Sequence, residues 1–165
     1  MLNWFMATTQ MDPEEFLPLT PAVFHILLAL AEGAPLQALY LAENNVLDQR
    51  LQVMTELEGL AQGERDFSDL AERLLKIGVQ QTLYWLYSWV ADMIRYVSSG
   101  GDRYMINRDM QESIVRVAGK AGLQGAHNYL QQLTEALKSS SGQVNTQLLM
   151  ENILIAWQEM FRQSR

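Results

Sequence analysis

A chain of 165 residues, 48% hydrophobic and 19% charged, has the composition of a folded globular protein rather than a disordered one. Its net charge of -7 and pI near 4.8 argue against strong nucleic-acid binding by the chain alone, because gripping phosphates needs a basic footprint. The absence of cysteine excludes disulfides, thiolate zinc sites and cysteine nucleophiles, and it suits a reducing cytoplasm.

In chain order, every periodic stretch is helical and no strand-like alternation persists. Leu2, Asn3, Trp4 and Phe5 read as the end of a helix, so the chain is expected to start inside a domain. Asp12-Pro13-Glu14-Glu15 reads as a helix start. Thr20-Pro21 opens a helix with Val23, Ile26, Leu27 and Leu30 on its apolar face, and Gly33 stops it. Pro35 then starts a short helix that ends at Asn44-Asn45. A longer one follows over about 47–60, its predicted stripe being Leu47, Leu51, Met54 (or Val53) and Leu57.

After the Gln62-Gly63 turn, Asp66 or Ser68 caps a helix carrying Leu70, Leu74 and Ile77 to a break at Gly78. The span 80–98 is the most apolar helix of the chain and leads into the Ser98-Ser99-Gly100-Gly101 loop. Asp109 and Glu112 have the spacing of a capping box and predict a helix running to Gly119 and Gly122. A further helix reaches about Lys138, and Asn145 caps the last, whose stripe is Leu149, Ile153, Ala156 (with Trp157) and Met160. The expected class is all-α: a helical bundle after a boundary near 44–46, preceded by short proline-started helices. The apolar run 83–91 is closed by Asp92 and Arg95, well short of the roughly 20 residues a spanning helix needs, so no membrane partner is expected.

No catalytic constellation emerges. His25 and His127 lack a second ligand at helical spacing, so no metal site is expected. Asp12, Glu14, Glu15, Asp109 and Glu112 read as helix N-terminal residues facing the macrodipole. Glu56, Glu58, Glu64, Asp66 and Asp69 read as a solvated surface. P-loop, Gly-x-Ser-x-Gly and Gly-x-Gly-x-x-Gly turns are missing from the sequence, and no cofactor is expected.

Two groupings could serve binding. On a helix, Leu83, Leu86 (or Tyr87), Val90, Ile94 and Val97 form one apolar stripe and Trp85, Trp89 and Tyr96 a second, with Asp92 between them. Such a helix must be covered on both faces, either by its own bundle or by a neighbouring subunit. Trp157 and Phe161 on the last helix could form a second such face. Arg103, Arg108, Arg116 and Lys120 are the one basic grouping. A solvated face is its default reading, an inter-subunit salt bridge the next and a nucleic-acid contact the third.

Gly33-Ala34-Pro35-Leu36-Gln37-Ala38-Leu39 resembles the sensor-2 segment in the lid of clamp-loader AAA+ proteins. The closing Gly142, Asn145, Leu148, Leu149, Ile153 and Leu154 resemble the last helix of the delta-prime family of bacterial DNA polymerase III clamp-loader subunits. The resemblance implies that residues 1–45 are the tail of an AAA+ lid and 46–165 a clamp-loader collar domain. It also implies that the nucleotide-binding fold lies upstream. The function it implies is non-catalytic: assembly with gamma/tau and delta subunits to support sliding-clamp loading on primed DNA, in the cytoplasm. Leu36 stands at the position of the sensor-2 arginine and cannot clamp a phosphate, as befits a stator without ATPase activity. The competing expectation is a freestanding helical adaptor that binds a partner helix or peptide outside replication.

Overall fold

The computed structural model describes residues 20–64, 66–140, 142 and 144–162, and the helix signals expected at 2–5 and 12–15 lie outside them. All regular structure among the described residues is helical. In chain order the helices are α1 (Pro21–Leu30), α2 (Pro35–Glu43), α3 (Val46–Gln62), α4 (Phe67–Ile77), α5 (Val79–Ser99), a 3-10 turn (Arg108–Met110), α6 (Gln111–Ala121), α7 (Leu123–Ser139) and α8 (Thr146–Arg162). The chain divides into two compact units, Met1–Asp48 and Gln49–Arg165.

In the first unit Thr20 caps α1 by accepting from the Val23 amide at 3.3 Å, and Pro21 occupies the first turn. Gly33 ends the helix at φ +84, its amide donating to the Leu28 carbonyl at 2.8 Å. Pro35 restarts the chain at once, and α1 and α2 meet at a 110° bend. Phe24, Leu27, Ala38, Leu39 and Leu41 supply buried apolar surface. No single helix among the described residues is long and apolar enough to cross a membrane, although the bent α1–α2 pair passes by length and composition.

The second unit is a helical bundle. In it α5 packs on α6 and α7, α4 packs on α8 and α5, and α8 packs on α7. Asp66 caps α4 through the Ser68 amide at 2.7 Å, and Asn145 caps α8 through the Leu148 amide at 3.1 Å. Gly78 (φ +119) and Gly122 (φ +69) each join two helices with almost no linker, in backbone conformations that side chains rarely adopt.

The phase of α3 differs from expectation. Its buried face is Val46, Arg50, Val53, Met54, Glu56, Leu57 and Leu60, whereas Leu51 is 51% exposed. The predicted stripe skipped position 50 because an arginine rarely occupies a core position.

Two helical glycines differ in what surrounds them. A Cβ on Gly125 of α7 would sit 3.2 Å from the Met160 Cγ and 3.3 Å from the Met160 carbonyl oxygen, so α7 approaches the backbone of α8 there. At Gly119 of α6 nothing lies within 4 Å. Gly119→Ala is expected to stabilise the chain by about 0.5–1 kcal/mol through helix propensity alone. Gly125→Ala is expected to destabilise it, because the opposing carbonyl belongs to a packed helix and cannot swing aside. Urea midpoints of the two variants should therefore move in opposite directions, and movement in the same direction would refute the close approach.

Candidate interaction surfaces

The aromatic stripe of α5 is covered by its own bundle. Trp89 is fully buried and Trp85 nearly so, and their rings stack with centroids 6.2 Å apart. Tyr96 is half-buried near the end of α5, where its carbonyl accepts from the Gly100 amide. On α8, Trp157 is fully buried and its indole N–H donates to the Leu57 carbonyl at 2.9 Å. The Trp157 ring meets Tyr129 and Phe161 edge-on at 5.6 and 5.2 Å, and Phe161 is buried with it. Trp85, Trp89, Trp157 and Phe161 therefore sit in the core, and Tyr96 lies at its edge. The aromatic surface that α5 does expose comes from Tyr84 and Tyr87, and Tyr87 and Val97, both expected on the first apolar stripe, lie instead on the exposed side.

A buried polar network lies beside the tryptophans. Arg50, only 1% exposed, donates from Nε to Asp109 at 2.7 Å and from Nη2 to the Asn107 side-chain carbonyl at 2.7 Å. Its guanidinium carbon lies 5.7 and 5.2 Å from the ring centroids of Trp85 and Trp89. Asp92, fully buried on α5, accepts from the backbone amides of Ile106 and Asn107, from the Asn107 side chain and from Arg95. Asn107 also donates to the Ser88 hydroxyl at 2.8 Å. The network thus ties the 100–107 loop to both α3 and α5, and every charge in it has an opposite partner.

Asp109 consequently does not form the expected capping box. Helix α6 begins at Gln111 without a side-chain cap, because the Asp109 carboxylate is committed to Arg50. Glu56 likewise leaves the expected solvated surface: it is buried and ion-paired to Arg73. A signal for the Arg50 pairing was present in the 46, 50, 53, 57, 60 phase of α3, in which an arginine interrupts an otherwise apolar face.

The basic grouping separates into two places. Arg116 reaches across to α3, where Glu58 accepts at 3.0 Å and raises the arginine pKa further. It lines an open cleft of about 540 Å³ with Lys120, Gly119, Val117, Glu64 and Phe161. Arg103 and Arg108 lie at the 100–107 loop instead, with Arg103 5.7 Å from the Tyr104 ring. His25 and His127 are exposed, and no group of metal-ligating side chains is found among the described residues. Leu36 is 74% exposed on α2.

Tyr129 is buried with no hydrogen-bond partner for its hydroxyl among the described residues, and burial raises its pKa well above the ordinary value. Tyr129→Phe is expected to stabilise the chain by about 1 kcal/mol, since it deletes an unpaired buried polar group and leaves the ring packing intact. Above about pH 10 an unfolded tyrosine releases a proton that the buried one keeps, so stability falls as pH rises. The phenylalanine variant should lose less stability than the parent between pH 8 and that range in urea titrations. Equal losses would show that the hydroxyl ionises as freely in the folded chain.

Compared with known proteins, the family described as "DNA polymerase III, delta subunit, C terminal" matches residues 44–159. The protein "DNA polymerase III subunit delta'" of Pseudomonas aeruginosa is 28% identical over 160 residues, which is 94% of this chain and 46% of the relative. The chain therefore spans about half the length of that relative. No solved structure gives a significant match. With the matched span running from the end of α2 into the last helix, the chain belongs to the family formed by the C-terminal region of DNA polymerase III delta subunits.

Proposed function

We propose that this chain is a non-catalytic assembly element of a bacterial DNA polymerase III clamp loader, of the delta-prime type. The observation that carries the reading is the family match over 44–159, the span that contains nearly all of the α3–α8 bundle. On this reading residues 1–45 are the tail of an AAA+ lid and 46–165 a collar domain that assembles with gamma/tau and delta subunits in the cytoplasm. The sliding clamp and primed DNA are reached only through the complex. A leucine at position 36 in place of a phosphate-clamping arginine favours a subunit that holds position while its neighbours hydrolyse ATP.

The test is co-elution of this chain with the C-terminal domains of gamma/tau and delta from the same source, at near-physiological salt. A complex of defined stoichiometry supports the reading. Separate elution of well-folded proteins favours a freestanding adaptor, for which the open cleft between α3, α6 and α8 is the feature in favour.

A further inference from the structure

Loop 100–107 and the 3-10 turn after it expose two large apolar side chains, Tyr104 at 60% and Ile106 at 52%. A loop carrying such residues would ordinarily fold them against the body of the protein. Here the backbone is fixed from beneath. Asp92 holds the amides of Ile106 and Asn107, Arg50 holds Asn107 and Asp109, and the buried Met105 and Met110 flank these contacts. The loop thus presents its apolar side chains on a rigid base, which lowers the ordering cost of a contact made there.

The charges beside these side chains are equally defined. Arg50, Arg73, Arg95 and Arg116 each pair with a carboxylate, whereas Arg103 and Arg108, like Arg162 on α8, pair with none among the described residues. The Arg108 guanidinium is oriented by neutral acceptors, the Gln111 side chain at 3.0 Å and the Arg103 carbonyl at 3.1 Å. Gln111 also engages Asp102, so the amide stands between Arg108 and the nearby carboxylate. In a chain with 19 acidic and 12 basic residues, two arginines left without carboxylates on one rigid loop are an unused binding capacity.

We propose that this loop is a preassembled docking element for an acidic, apolar-tipped segment of a partner protein. A guanidinium fork matches a carboxylate, and Tyr104 and Ile106 supply the adjoining apolar contact. Only two arginines, with Asp102 held beside them through Gln111, on a chain of net charge -7, favour discrete carboxylates over a run of phosphates. The proposal rests on the reading of the chain as an assembly subunit and names the chemistry of one of its contacts.

The test measures binding of a fluorescein-labelled peptide of alternating glutamate and phenylalanine to the full chain by anisotropy, with an oligo-dT of equal length as the rival probe. Peptide binding that weakens by about tenfold or more in Arg103→Glu/Arg108→Glu, and also in Tyr104→Ala/Ile106→Ala, is expected. Absent peptide binding, binding unchanged in either double variant, or tighter binding of oligo-dT would overturn the proposal. Co-elution separates this outcome from the wider reading. If the charge-reversed chain still joins gamma/tau and delta while its peptide binding is unchanged, the docking role falls and the subunit reading stands.

Discussion

Arg50→Ala is expected to cost about 3–5 kcal/mol of folding stability, among the largest losses available to a single substitution in this chain. The side chain is buried, and its removal leaves Asp109 as a charge at the edge of the core with its main partner gone. It also leaves the Asn107 carbonyl without its 2.7 Å donor and takes a cation away from the faces of Trp85 and Trp89. The loss should be non-additive with that of Asp109. Arg50→Met/Asp109→Leu removes both charges and keeps apolar volume, so it should recover a large part of the stability lost by either single variant. Urea unfolding followed by circular dichroism gives all four corners of this cycle. Additive losses would mean that the pair is not coupled and that the network does not hold the loop.

That network also shows where the sequence stops being legible. Helix existence and most caps follow from local chemistry: Thr20, Pro21, Pro35, Asp66 and Asn145 act where their side chains dictate, and the structure agrees. Asp109 failed as a cap because its partner, Arg50, is 59 residues away, a distance no local pattern can see. The same long-range pairing explains the misread phase of α3. Counting Leu51 as core and leaving Arg50 out is correct by residue type and wrong once two tryptophans and an aspartate stand ready to receive a guanidinium.

The aromatic stripe of α5 carried a real ambiguity. Two apolar faces on one helix demand two coverings, and periodicity alone cannot say whether the second is α7 of the same chain or another molecule. The bundle supplies it, since α5 packs on both α6 and α7. Tyr104 and Ile106, by contrast, are side chains that periodicity would class as ordinary surface, and the hydrogen bonds that fix the backbone beneath them are visible only in the assembled network.

Trp157→Ala should destabilise the chain by about 3–5 kcal/mol, as expected for emptying a fully buried indole site. The ring sits between Tyr129 and Phe161, and its N–H crosses to the Leu57 carbonyl on α3, so one side chain joins α8 to α7 and α3. Truncation leaves a cavity among three helices whose backbones cannot easily close on it. Trp157→Phe keeps part of the ring contact and should lose less, about 1–3 kcal/mol for the hydrogen bond and the missing volume. The ordering of the two variants matters because a tryptophan devoted to a partner would behave differently. Its alanine variant would leave the unfolding midpoint of the isolated chain where it was and would weaken co-elution instead. A large midpoint shift with helicity preserved below the transition assigns Trp157 to the core, in keeping with its full burial.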